Sequence, residues 1–344
     1  MDIVFDIFSI ILVVLGLIVF EIITSIDNAV INAEVLRTMS QRARRWFLTW
    51  GMFFSVFLVR GMLPWLIVWM ATPSLGPVGS FMAAFSSDPS IMEAVERASP
   101  PLLIAGGIFL IFLFLHWLFL EEKHFGLRGE KFIQKKGVWF FAAISIILAG
   151  ITWLAIHLEP VLAFGAVMGS TAFFIVHGFK ENAAQRESQL MGQTAMSDLS
   201  KILYLEVIDA TFSIDGVVGA FAFTLAVPLI LIGNGIGAVA VRQITVSNIE
   251  RVKKYKYLKN GAMYSISILG IIMILDSFGF HIPQWLSPVS TFAIIGYFFW
   301  KSRKALNAGE TIELAENVQP SQVPAKEKKE TFVRNSREKT RRKK

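Results

Sequence analysis

The segment Glu21-Ile22-Ile23-Thr24-Ser25-Ile26-Asp27-Asn28-Ala29-Val30 returns 188 residues later as Asp209-Ala210-Thr211-Phe212-Ser213-Ile214-Asp215-Gly216-Val217-Val218. Both copies carry Ser-Ile-Asp with an acid six residues upstream, and both sit inside apolar sequence. The register continues beyond the motif. Gly51 stands nine residues before Arg60, and Gly233 stands nine before Arg242, so each copy is followed by an arginine in the next apolar run. A carboxylate at the centre of a bilayer helix costs about 2.5–3.5 kcal/mol. Acids placed there must pair, take up a proton or bind something.

The rest of the 344-residue chain supports a membrane setting for the motif. Hydrophobic residues make up 54%, mean hydropathy is +0.57, and only 17% of residues are charged. Soluble domains carry about 25% charge. A core about 30 Å thick needs about 20 mostly apolar residues per helix. Candidate spans lie near 8–33, 47–70, 102–120, 138–157, 161–179, 202–225, 228–246, 261–279 and 286–300. The fold class expected is therefore all-α: a polytopic helical membrane protein of about nine transmembrane helices.

Sidedness follows from Lys and Arg, which gather on cytoplasmic connections. Arg37–Arg45, Lys123–Lys136, Lys180–Lys201 and Arg251–Lys259 are basic, whereas His157–Pro160, Ala226–Pro228 and Phe280–Ser287 hold no Lys or Arg. This places the N-terminus outside and the C-terminus in the cytoplasm of a multi-pass cell membrane protein, in an inner or plasma membrane. Met1–Phe8 carries Asp2 and Asp6 and no basic residue, so the first apolar run reads as a retained span and not a cleaved signal. The two motif spans then run in opposite directions. The halves, about 8–120 and 202–300 with linking spans at 138–179, form an inverted repeat, a construction common in transporters whose site lies near the midplane.

The net charge of +7 belongs to the tail, because residues 301–344 hold thirteen Lys/Arg against six Asp/Glu. The membrane domain, 1–300, is thus neutral. The tail reads as a disordered cytoplasmic segment attracted to anionic headgroups; nothing in the sequence calls for a nucleic-acid partner. Cysteine is absent. Disulfides, thiolate metal sites and cysteine nucleophiles are thereby excluded, and any metal must take oxygen or imidazole ligands.

The oxygen donors are plentiful. Asp27 and Asp215 read as principal ligands, Glu21 and Asp209 as secondary ligands or proton acceptors, and Asn28, Ser25 and Ser213 as neutral ones. Such a set suits hard dications such as Mg²⁺, Ca²⁺ and Mn²⁺. Glu206 and Asn234 are further candidates, and His116 of the third span or His177 of the fifth could favour Mn²⁺ over Mg²⁺. Arg60 and Arg242 would balance the acids when no cation is bound. Gly216, where the first copy has Asn28, permits close helix approach together with Gly219. Plainer readings stand beside these: structural ion pairs for the two arginines and acids, and interfacial positions for both histidines.

The motif, an acid followed by Ser-x-Asp-Asn in the first core helix, resembles the TerC family of integral membrane proteins, named for tellurium resistance, and looks closest to a longer branch of uncharacterised function. The resemblance covers about residues 8 to 300. It implies a fold related to the LysE transporter superfamily and manganese export, or supply of metal to exported metalloenzymes. By position, Glu21, Asp27 and Asn28 match the first motif and Asp209 and Asp215 the second, with Gly216 in place of the second Asn.

The expected activity is divalent cation transport, with Mn²⁺ as transported ion, no tightly bound cofactor and no enzymatic activity. Two alternatives come from other classes. One is an intramembrane hydrolase pairing Asp27 with Asp215, which needs carboxylates about 3 Å apart. The other is a membrane accessory that passes metal to exported enzymes through contact with the secretion machinery.

Overall fold

A computed structural model describes residues 2–51, 53–54, 60–71, 76–85, 89–123, 126–191, 197–247, 251–252 and 254–308. They belong to one compact unit that extends to Glu310, and Thr311–Lys344 lies outside the described residues. All regular structure among the described residues is helical. In order the helices are α1 (Asp2–Thr24), α2 (Ile26–Arg37), α3 (Gln41–Trp46), a π-helical turn (Phe47–Gly51), α4 (Arg60–Ala71), α5 (Gly76–Phe85), α6 (Pro89–Leu120) and α7 (Arg128–Gln134). After a short 3₁₀ turn (Gly137–Trp139) follow α8 (Phe140–Leu158), α9 (Pro160–Met191), α10 (Asp198–Ala220), α11 (Val227–Ser247), α12 (Leu258–Ser277) and α13 (Leu286–Asn307). In hydrocarbon the backbone must satisfy itself within each segment, which makes the helix the natural solution for such apolar runs.

Among the described residues six helices are long and apolar enough to cross a membrane: Ile7–Thr24, Ser99–Leu120, Gly137–Leu158, Pro160–Asn182, Val227–Val246 and Leu258–Ser277. They coincide with six of the nine expected spans. The other three differ for identifiable reasons. Residues 52 and 55–59 of the run at 47–70 lie outside the described residues. The run at 202–225 forms α10, which ends at Ala220 and carries Glu206, Asp209 and Asp215. The run at 286–300 continues as α13 to Asn307, adding Lys301, Arg303 and Lys304. Residues 301–307, expected in a disordered tail, are therefore helical, and Ser302 Oγ accepts the Tyr257 amide at 3.0 Å.

The two motif helices lie antiparallel. A side chain on Gly219 would strike the Phe20 ring at 2.4 Å and one on Gly216 the Glu21 carboxylate at 2.7 Å. Farther along, Asn28 meets Asp209, Leu36 packs with Ile202 and Leu205, and Lys201 Nζ reaches the Thr38 carbonyl at 2.8 Å. Moving forward along α1 and α2 is moving backward along α10, the relation an inverted repeat requires. α1 and α2 form one rod with a hitch at Ser25. Thr24 Oγ1 bonds back to the Phe20 carbonyl at 2.9 Å, a habit of Ser and Thr that bends helices. The main-chain ladder still passes through, because Ser25 N donates to Glu21 O and Ala29 N to Ser25 O.

The remaining core is held by small residues, since lipid offers no hydrophobic drive between helices. α6 and α9 run parallel, with Gly165 against Pro101, Gly169 against Ala105 and Phe173 against Phe109 and Phe112. A Cβ at Gly169 would lie 2.1 Å from the Ala105 carbonyl oxygen. Because that obstacle is backbone, the helices must separate. Gly169→Ala is therefore expected to destabilise the protein by about 1–3 kcal/mol, seen as a lowered unfolding temperature in detergent. Unchanged melting would show that α6 and α9 are not so closely apposed.

Beyond the end of α6 a polar clasp fixes the connection to α7. Glu130 Oε2 accepts the Leu127 amide at 3.1 Å and the Asn260 amide at 2.7 Å, tying α7 to α12. Lys123 Nζ donates to the Trp117 carbonyl and stands 3.7 Å from the Trp117 ring centroid. Burial pushes the Lys123 ammonium down to about 8, against the opposing pull of Glu121 and Glu130. A lysine depressed on folding binds fewer protons folded than unfolded between about pH 8 and 10.5, so its charging penalty fades as pH rises through that window. Wild type should therefore gain stability relative to Lys123→Met between pH 8 and 10. Parallel melting curves for the two proteins across that range would contradict this.

Candidate cation site

Glu21, on the last turn of α1, is 1% exposed, and Arg60, at the start of α4, is 4% exposed. Arg60 Nη2 and Nε donate to Glu21 Oε1 at 2.8 and 3.1 Å, and Arg60 Nη1 donates to Asp209 Oδ2 at 3.4 Å. One guanidinium thus bridges an acid of the first motif to an acid of the second. Ser25 Oγ adds a bond to Glu21 Oε1 at 2.9 Å, and Asn28 Nδ2 donates to Asp209 Oδ1 at 2.6 Å. Gly237 of α11 leaves room for the Glu21 stem, which would lie 2.6 Å from a Cβ there.

The second repeated arginine reaches the same region from α11. Arg242 donates from Nη2 to the Phe47 carbonyl and lies 4.3 Å from the centre of the Phe47 ring. Phe47 opens the π-helical turn, and widened turns of this kind often mark functional sites. The turn closes on Gly51, where a Cβ would lie 2.2 Å from Glu206 Oε1 and 3.3 Å from Arg242 Nη2. The repeated glycine of the first half is therefore explained by close approach to an acid of the second half, and its repeated arginine by bridging one acid from each half.

Between these groups lies a cavity of about 30 Å³ lined by Ser25, Asn28, Asn32, Arg60, Asp209 and Arg242, with apolar walls from α2, α11 and the π turn. Holding one water takes about 10–15 Å³ of this kind of space, so there is room for one ion and a water. Asn28 Oδ1 and Asn32 Oδ1 are buried and have no hydrogen-bond partner among the described residues. Glu206 Oε1, Asp215 Oδ1 and both polar atoms of Asn234 are likewise buried and unpartnered. Leaving such a group unsatisfied costs about 1–3 kcal/mol. Three carboxylates, Glu21, Asp209 and Glu206, stand against two guanidiniums, leaving acid in excess.

Not every expected ligand joins this group. Asp215 pairs instead with Lys180 of α9, which the sequence places in a basic connection. Ser213 turns its hydroxyl onto the Asp209 carbonyl of its own helix. Asn234 is buried on α11 but bonds to none of the described motif side chains. His116 is not at the site: its ring faces His177, with centroids 4.2 Å apart, between α6 and α9. The Asp27 side chain lies outside the described residues; its main chain forms the first turn of α2. No group of three or more His, Asp or Glu side chains is arranged to hold a metal among the described residues. The oxygens that do line the cavity come mainly from amides and from carboxylates now held by arginine.

Two contributors escaped the sequence reading. Asn32 sits four residues beyond Asn28, one helical turn along the same face, and that spacing was the available signal. Lys180 gave none, because a lysine just past an apolar run looks solvated.

Helices with buried acids on both copies of a repeated motif define a polytopic helical membrane protein with a polar interior. The chain belongs to the family described as "Protein of unknown function (DUF475)", whose model matches residues 26–307. It is also similar to the "Uncharacterized membrane protein YceF" of Bacillus subtilis (strain 168), with 22% identity over 159 residues, 45% of this chain and 61% of that protein. No solved structure matches it.

Proposed function

We propose that this protein is a secondary transporter for a divalent cation and not an enzyme, and that the ion binds beside Glu21 and Asp209. The observation that carries the reading is the small cavity between antiparallel motif helices, rimmed by the unpartnered oxygens of Asn28 and Asn32 and by Asp209. Oxygen donors at this density suit a hard dication. The resemblance of the motif to the TerC family puts Mn²⁺ first, and supply of Mn²⁺ to exported enzymes is a physiological use consistent with it. Arg60 acts as a tethered counter-ion that neutralises Glu21 and Asp209 while no metal is bound. Lys180 does the same for Asp215. Loading the site moves these side chains aside, and Asp27 and Asp215 complete the ligand set as the two halves exchange roles.

Purified protein in liposomes, tested with Mn²⁺, Ca²⁺, Mg²⁺ and Zn²⁺ gradients, should carry Mn²⁺ and carry it faster than protein-free vesicles leak. Flat responses to all four ions would contradict the proposal.

A further inference from the structure

A second cavity, of about 780 Å³, opens at the end of the α6 span between α6, α8 and α9. Its walls include His116, His177, Glu121, Glu122 and Glu181. The two imidazoles lie with centroids 4.2 Å apart at 56°, closer than the roughly 4.5–7 Å usual for aromatic pairs. Each ring is positioned by aromatic neighbours. His177 stacks on Phe173 with planes 1° apart, and His116 meets the Phe140 ring at 83°. Neither ring nitrogen of His116 has a hydrogen-bond partner among the described residues.

His177 Nε2 stands 4.0 Å from Glu181 Oε1, one turn farther along α9. That is too long for a hydrogen bond. It is close to the spacing of two ligands on one ion, because donors about 2.0–2.2 Å from a tetrahedral metal stand about 3.4 Å apart. As the side chains stand no three of them are arranged to hold a metal; the Glu181 side chain, 67% exposed, swings toward His177 Nε2 to complete the set.

We propose that His116, His177 and Glu181 form a second dication site, distinct from the Glu21–Asp209 cluster and selective for ions that accept imidazole. Two nitrogens and a carboxylate, completed by water, suit Zn²⁺, Co²⁺ or Mn²⁺; Mg²⁺ and Ca²⁺ demand oxygen. Glu122 lies in the cavity wall, whereas Glu121 beside it is held by Lys259 of α12. Lys180, three residues beyond His177 on α9, holds Asp215. A dication at the histidines repels that ammonium and loosens its hold on the motif acid, making the cavity a loading station. This last step rests on the transport reading, whereas metal binding at the histidines does not.

The test uses the full chain in detergent, titrated with Co²⁺ and followed by calorimetry and by the visible absorption of the bound ion. Wild type should show a Co²⁺ binding event that His116→Ala and His177→Ala each weaken at least tenfold, that Asp209→Asn leaves in place, and that excess Mg²⁺ does not displace. The proposal is overturned if neither histidine substitution changes Co²⁺ binding, or if Asp209→Asn removes the event. Should the histidine variants fail to fold, protection of His116 and His177 from diethyl pyrocarbonate by Co²⁺ in the wild-type protein serves instead, and absence of protection overturns it. A protein that binds Co²⁺ here yet carries no ion in liposomes would sink the transport reading and leave this site standing.

Discussion

Arg60→Met should destabilise the folded protein by about 3–5 kcal/mol, the range expected when one partner of a buried ion pair is removed. The guanidinium is the only cation found bonded to Glu21 among the described residues, and Glu21 is nearly inaccessible to solvent. Without Arg60, Glu21 retains Ser25, and Asp209 retains Asn28, neither of which supplies charge. The effect should not be additive. Replacing Glu21 by glutamine in the same protein removes the orphaned carboxylate, so the double variant should recover much of the loss, as replacement of whole buried pairs often does. Unfolding in detergent monitored by circular dichroism measures this. Equal losses for Arg60→Met alone and in the double variant would show that the bridge is not formed.

Asp209→Asn should abolish high-affinity cation binding at the motif site while the protein stays folded. The substitution keeps size and shape, and Arg60 remains paired to Glu21. What disappears is one negative charge at the cavity. At an effective dielectric constant near 20, a single charge in direct contact with a dication is worth several kcal/mol, so a loss of at least about 100-fold in affinity, near 2.7 kcal/mol, is expected. Titration of Mn²⁺ into wild-type and Asp209→Asn protein reads this. Equal affinities would place the ion elsewhere.

How far these features could be read from sequence varied with the kind of interaction. Glu21 and Asp209 were legible because an acid in an apolar run is expensive and both stood at the same place in a repeated motif. That Arg60 belongs with them followed from its own repetition as Arg242. The antiparallel course of the motif helices was anticipated by the distribution of Lys and Arg, which records sidedness and hence direction.

The opposite holds for α6. The expected span began near residue 102, yet the helix runs from Pro89 through Pro100 and Pro101, because freed carbonyls in such helices find other partners. Lys180 was hidden for a related reason. α9 continues past the apolar run to Met191, and a lysine stem can lie along apolar surface while its ammonium finds an acid. His116 and His177 carry no joint signal, since only the parallel packing of α6 against α9 brings them together. Side chains whose partners lie on distant helices leave no spacing pattern to detect.

Cation transport through the Glu21–Asp209 cavity requires the Asp209 charge. Mn²⁺ flux under an imposed gradient in liposomes, comparing wild type with Asp209→Asn at equal reconstituted protein, tests it most directly. Rapid flux is expected for wild type and only background leak for the variant. Equal flux from the two proteins, or none from either, would contradict it.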